Sequence, residues 1–198
     1  MTPAARGILI ACVAVFLLQQ VATTPLEIRY ALWPLGDNPY SAGFHFWQLL
    51  SYGFLHGGFA HLFFNMFALY MFGPDVERLT GTRRFLAYYL VCVVSAGLAQ
   101  LAMLHFMGGP PVPTVGASGG VFGLLLAFGL AFPHRKLMLI FPPIPMPAWL
   151  FVTLYGLLEL YLGVTAPGSG VAHFAHLGGM VGGFLLILYW RFERRPSP

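Results

Sequence analysis

Apolar residues fall into six runs, at 8–21, 59–72, 85–104, 115–132, 149–164 and 171–190, separated by segments rich in Pro, Gly and charge. The hydrocarbon core of a bilayer is about 30 Å thick. Some of these runs are short for it, but six helical spans is the natural count. The segment 24–58 carries Trp33, Phe44, Phe46, Trp47, Tyr52 and Phe54. Aromatic rings of that kind prefer the headgroup region, so a structured, half-submerged loop at the interface is expected. The segment 105–114 contains Gly108-Gly109-Pro110-Pro111-Val112-Pro113. It lacks backbone donors at its prolines and is expected to be extended.

Composition places this pattern in a membrane. The chain is 58% hydrophobic and 8% charged, with a mean hydropathy of +0.76, far outside the balance of a soluble domain. The expected architecture is an all-α membrane protein with a single domain over 1–198, six transmembrane helices and no appended soluble domain. With the N-terminus inside, one side collects Arg6, Arg78, Arg83, Arg84, Arg135, Lys136, Arg191, Arg194 and Arg195, leaving only Arg29 outside. That asymmetry satisfies the positive-inside rule and puts both termini in the cytoplasm. The net charge of +4 then describes contact with anionic lipid and gives no support to nucleic-acid binding. Arg6 ahead of an apolar run could also open a signal peptide, but Val21-Ala22-Thr23-Thr24-Pro25 is a poor cleavage site, so the segment reads as a retained first helix. Cys12 and Cys92 fall inside apolar runs and suggest neither a disulfide nor a metal site. No metal or cofactor is expected.

The second, fourth and sixth spans run from outside to inside, so their first turns share the outer side. His61 and Asn65 lie in the first turns of the second span, Ser118 in the first turn of the fourth, and His176 about one and a half turns into the sixth. One layer thus holds a hydroxyl, an imidazole and two further polar side chains. Polar groups are costly in hydrocarbon, which makes an intramembrane Ser and His a functional hypothesis, here a serine hydrolase working within the bilayer. Gly119 and Gly123 on the fourth span, and Gly179 and Gly183 on the sixth, form small-residue faces that let backbones approach. Close approach is what a Ser118–His176 hydrogen bond of about 2.6–3.2 Å requires.

Each residue has a plainer reading. The glycines could simply pack helices, a lone Ser could bond its own backbone, and His61 with Asn65, at i and i+4, could link helices. His45, His56 and His105 are expected in outer loops at the water interface, without chemistry, and His134 lies at the inner end of the fourth span. His173 competes with His176 for the role of base; His176 is preferred because it is deeper and next to the glycine face. Glu159 on the fifth span could orient a histidine as a third triad member, but a structural hydrogen bond is preferred.

Together these residues resemble the rhomboid family of intramembrane serine proteases over nearly the whole chain. The resemblance rests on His61-Leu62-Phe63-Phe64-Asn65, on Gly116-Ala117-Ser118-Gly119, and on Ala175-His176 followed by Gly179 and Gly183. The Glu77-Arg78-x-x-Gly81 turn fits as well. It implies Ser118 as nucleophile and His176 as general base in a dyad, with His61, Asn65 and the backbone N–H of Ser118 stabilising the oxyanion. It further implies an extended substrate held by strand addition at Val115 and Gly116, small residues beside the scissile bond, and transmembrane proteins as substrates. The flexible loop Ala166-Pro167-Gly168-Ser169-Gly170 is a candidate lid. Two departures stand out: Trp47-Gln48 replaces the family's common Trp-Arg, which puts the stability of the outer loop in question, and Phe122 stands where some members carry a Tyr near the base.

Other classes compete. His61 and His176 could be axial haem ligands or part of a transporter's proton or metal pathway, although neither explains Ser118 among its glycines. A catalytically inactive rhomboid-like protein binding membrane clients is the remaining alternative; such proteins usually lack one residue of the dyad. A multi-pass protein of a bacterial inner membrane is the expected location.

Overall fold

A computed structural model of the chain describes residues 1–36, 43–108, 112–138, 143–166 and 170–193. Its first helix, α1 (Pro3–Tyr30), starts with Pro at an N-terminal position, and its Thr2 N-cap gives no side-chain cap. The cap comes from another helix. Glu77, near the end of α3 (Phe59–Thr80), accepts the backbone N–H of Ala4 at 3.0 Å and of Ala5 at 2.9 Å, and also the Thr82 hydroxyl at 2.9 Å. A buried carboxylate thus satisfies the orphan donors of a helix start and complements its dipole. Glu77→Ala is expected to destabilise the protein by about 3 kcal/mol, since buried N–H groups lose charged acceptors. A drop of several degrees in the melting temperature in detergent would show it.

α1 bends where Ala22 leaves helical geometry (φ −144°, ψ 43°), ahead of Pro25. The chain nevertheless resumes helix to Tyr30, which corrects the expectation of a loop from residue 24. Its end is held by the Trp33 indole N–H, shared between the Glu27 and Ile28 carbonyls at 3.2 and 3.1 Å. The interfacial element consists of the short helix α2 (Gln48–Ser51) and a 3₁₀ turn (Tyr52–Phe54), with Tyr52 and Trp33 buried and Phe46 and Trp47 exposed. Gln48 anchors this element rather than weakening it. Its buried Oε1 accepts the Trp33 and His45 backbone N–H groups at 3.4 and 3.2 Å, and its Nε2 donates to the Arg29 carbonyl at 3.5 Å. An amide offers both an acceptor and donors, which a guanidinium does not.

The remaining elements are α4 (Thr82–Met107), α5 (Ser118–Ala131), α6 (Ala148–Thr165), α7 (His173–Glu193), and a two-stranded antiparallel hairpin, β1 (Lys136–Met138) with β2 (Pro145–Pro147), pairing Leu137 with Met146. Gly81, at φ +80°, makes the one-residue break between α3 and α4. The central helix is α4, packed against α5 and α7; α1 lies on α3, and α6 leans on α5 and α7. Four helices are long and apolar enough to cross a membrane by length and composition: Pro3–Tyr30, Thr82–Met107, Ala148–Thr165 and His173–Arg191. By that measure α5 falls short at 14 residues. α3 also falls outside it, carrying His61 and Asn65 at one end and Asp75, Glu77 and Arg78 at the other.

The described basic residues divide between the two ends of the bundle. Asp75 pairs with Arg78 at 2.9 Å and with Arg135, while Arg84 covers the Trp190 ring at 5.5 Å. The start of α1, the α3–α4 turn and the ends of α5 and α7 therefore share one end. Arg29 lies at the other, where its carbonyl accepts the Trp47 indole at 3.0 Å. Arg194 and Arg195 lie outside the described residues.

Candidate active site

Three backbone bonds place the N-terminus of α5. Leu32 and Thr114 exchange N–H···O bonds of 3.0 and 2.9 Å, and Gly116 donates to the Tyr52 carbonyl at 3.0 Å. These bonds hold Thr114 to Gly116 as a strand-like segment, whereas 105–107, expected to be extended, instead complete α4; 109–111 lie outside the described residues. Gly116 sits at φ +132°, and a Cβ there would lie 2.7 Å from the His61 ring. Both facts demand glycine. The helix then begins at Ser118, not at residue 115.

On α7, His176 falls in the first turn, because the helix starts at His173. Its Nε2 lies 2.9 Å from the Ser118 Oγ. The Phe122 ring, one turn beyond Ser118, stacks on the imidazole at 4.2 Å with planes 6° apart. The same Phe122 ring contacts Tyr155 of α6 at 5.1 Å. Behind the imidazole, Nδ1 lies 2.8 Å from Oε2 of Glu159, and that same oxygen lies 2.7 Å from Nδ1 of His173. So it is His176 that meets Ser118, while His173 meets the carboxylate. Glu159, given a plain structural role from the sequence, contacts both.

His61 and Asn65 flank the same space. The position a Gly116 Cβ would occupy is within 4 Å of both the His61 ring and the Ser118 Oγ. Buried Asn65 gives one N–H to the His61 carbonyl at 2.9 Å, one turn back on α3, leaving its second N–H available. A cleft flanked by α3 and α6 is lined by His61, Asn65, Val115, Ser118 and His176 within a mostly apolar wall that includes Phe64 and Leu154.

The glycines do more than the sequence pattern proposed. Gly179 backs onto the Gly119 backbone, where an added Cβ would lie 2.8 Å from the carbonyl carbon; this is the close α5–α7 approach. Gly119 and Gly123 instead turn their missing side chains toward Ala96 and Cys92 of α4, and Gly183 toward Tyr88. Gly178 and Gly182, a second four-residue pair, fit against Ala99 and Ser95. The small-residue faces thus seat α4 as much as they join α5 to α7.

His56 is the correction among the remaining histidines. It is buried, its backbone N–H and C=O are both taken by the Gln19 amide at 3.0 and 3.2 Å, and its ring meets His61 edge-on at 5.3 Å. Neither ring nitrogen reaches a partner among the described residues. Burial, reinforced by the neighbouring His61, pushes its pKa down to about 4. The unfolded chain then binds the proton first: His56 costs stability as pH falls from about 6.5 to about 4, and nothing above that window. His56→Gln should therefore lose less melting temperature than the wild type between pH 7 and pH 4. His45 is half-buried and stacks on Trp47 at 4.2 Å, whereas His105 ends α4 exposed against Phe106.

Glu159, His173 and His176 present ligand atoms within 4.8 Å of one another, the kind of cluster that can hold a cation. Two ligands at about 2.0–2.1 Å from a tetrahedral ion would stand roughly 3.3 Å apart. The observed 2.7 and 2.8 Å separations fit shared protons instead.

Residues 43–192 match the Rhomboid domain family. The chain belongs to the rhomboid family. Rhomboid protease GluP of Bacillus subtilis is 33% identical to it over 149 residues, covering 75% of this chain and 27% of that protein. Mitochondrial Rhomboid protein 1 of Saccharomyces cerevisiae is 32% identical over 143 residues, 70% of this chain and 40% of the relative. Rhomboid protease GlpG of Yersinia pestis is 24% identical over 188 residues, 95% of this chain and 62% of the relative. This rhomboid chain thus spans from about a quarter to under two thirds of those relatives' lengths. Family and apolar helices together make it an integral, multi-pass membrane protein.

Proposed function

We propose that this rhomboid is an intramembrane serine endopeptidase that hydrolyses peptide bonds in or near transmembrane segments of other membrane proteins. The observation that carries the reading is the 2.9 Å contact between Ser118 Oγ and His176 Nε2 at the N-terminus of an apolar helix. In this mechanism His176 takes the Ser118 proton as Oγ attacks the scissile carbonyl. The oxyanion is met by the Ser118 backbone N–H, His61 and Asn65, aided by the positive end of the α5 dipole. Imidazolium then protonates the leaving amine, and water enters from the aqueous side to hydrolyse the acyl-enzyme.

The cleft between α3 and α6 suits an apolar peptide arriving sideways from lipid. Thr114 and Gly116 give their N–H groups to Leu32 and Tyr52 on one side. Val115 between them is left, by strand alternation, to offer its backbone to an unwound substrate on the other. The site is at the Arg29 end of the bundle, away from the basic end. With positive residues inside, that end is the outer face, both termini are cytoplasmic, and α1, α3, α4, α5, α6 and α7 are the six spans of one domain over 1–198. A bacterial inner membrane is the proposed location. No cofactor or metal takes part in this scheme. The lid proposed for the loop around 166–170 includes 167–169, which lie outside the described residues.

A fluorophosphonate probe applied to the detergent-purified chain tests the reading, with cleavage of a synthetic transmembrane substrate in liposomes as the second readout. Labelling of the wild type that vanishes in Ser118→Ala, together with cleavage, is the expected result. A folded wild type that neither labels nor cleaves overturns it.

A further inference from the structure

We propose that Glu159 is a positioning residue that turns the Ser118–His176 pair into a triad, with His173 fixing the carboxylate from its far side. The inference rests on the protease reading and goes beyond its two-residue chemistry. Its basis is one oxygen. Oε2 of Glu159 lies 2.8 Å from Nδ1 of His176 and 2.7 Å from Nδ1 of His173, and all three side chains are buried. An ionised carboxylate can only accept hydrogen bonds, so both Nδ1 atoms must carry protons. For His176 this selects the tautomer whose Nε2 holds a lone pair, and that atom is the one 2.9 Å from Ser118 Oγ. When Nε2 takes the serine proton, the new imidazolium stands beside a buried anion that is already in place.

The fold maintains this arrangement from several directions. Buried Ala148, Val152, Glu159 and Gly163 lie along one face of α6, while much of the helix is exposed, as lipid contact requires. Gly163, one turn past Glu159, leaves room for α7: a Cβ there would touch the Phe174 ring at 3.0 Å and the His173 Cβ at 3.2 Å. α6 therefore approaches α7 where the carboxylate must reach both histidines. Phe122, stacked on His176, fixes the imidazole plane, so the ring cannot tilt away from Oε2. His173 supplies what a lone Glu–His pair would lack, a second donor holding the carboxylate in register.

The test compares Glu159→Gln, which keeps the size and one accepting oxygen but removes the charge, with wild type and Ser118→Ala. In liposomes, kcat is expected to fall roughly 10²- to 10⁴-fold while KM stays within about threefold, and fluorophosphonate labelling of Ser118 should slow in parallel. A purely structural Glu159 would instead lower the melting temperature and leave kcat of the folded fraction intact. A kcat for Glu159→Gln within threefold of wild type, with Ser118→Ala inactive, overturns the triad and leaves the protease reading standing. Should the variant not fold, ¹⁵N-histidine NMR of the wild type decides. Protonated Nδ1 and unprotonated Nε2 at His176 is the expected result, and the opposite tautomer overturns the proposal. A wild type without labelling would instead remove the protease reading itself.

Discussion

Ser118→Ala and His176→Ala should each reduce cleavage of a transmembrane substrate on the order of 10⁶-fold, and the double variant should be no slower than either single one. The reason is that the two side chains act as one unit across a 2.9 Å contact. Without Oγ there is no nucleophile for His176 to activate. Without the imidazole, Oγ loses the one ring nitrogen in hydrogen-bond contact with it among the described residues, and Glu159, on the opposite edge of that ring, does not take its place. What survives in both is the α5 N-terminus with His61 and Asn65, which can still stabilise an oxyanion formed by water attack, a residual of roughly 10³ over solution. Initial rates in liposomes for the two single variants and the double would check this. Additive losses would mean that the residues serve separate steps, and a single variant retaining a tenth of wild-type activity would remove the dyad.

Much of this site was legible before the fold, because membrane helices restrict the problem to depth and face. Hydropathy and the placement of Arg gave the running direction of each helix, and that put His61, Asn65, Ser118 and His176 in one layer. Lateral neighbours were harder to read. Nothing in the spacing of Glu159 tells how far α6 rotates toward α7, so its contact with both His173 and His176 emerged only from the packing around Gly163. His56 was misplaced in water for a related reason: its partner Gln19 is 37 positions away on α1, and a buried backbone held by that amide leaves no local signal. Gln48 was judged by a missing charge, whereas its work is done by an amide that both donates and accepts. The helical stretch beyond Pro25 lies past the end of the first apolar run, so hydropathy does not mark it as helix; the kink falls at Ala22 and the helix restarts. The β1–β2 hairpin, three residues a side, is too short to leave a period-2 pattern.

Gly179→Ala should cost this protein at least 10²-fold in kcat and several degrees of melting temperature, whereas Gly156→Ala should change neither by much. Both are single methyl groups on apolar helices, and the difference lies in what each would meet. At Gly156 the methyl would touch the flexible end of Met180, at 3.4 Å from Cε, an ordinary contact that a thioether absorbs. At Gly179 it would fall inside the Gly119 peptide, 2.8 Å from the carbonyl carbon and 3.1 Å from Cα, and a backbone has no rotamer to retreat into. The helices must separate. Overpacking of this kind costs about 1–3 kcal/mol, but the functional loss is larger than the stability loss because of where the pivot lies. Gly119 follows Ser118 directly, and Gly179 is one helical turn from His176. Moving α7 off α5 by the width of a methyl therefore stretches the Ser118–His176 contact itself, and a displacement of about 1 Å in a reacting pair can cost on the order of 10²-fold. Because His173 shares α7 with His176, and Glu159 on α6 is bound to both histidines, the imidazole would keep its carboxylate and lose its serine. Melting curves and kcat for both variants, measured in one lipid, would check the contrast; wild-type kcat in Gly179→Ala would mean that α5 and α7 do not meet backbone to backbone at this level.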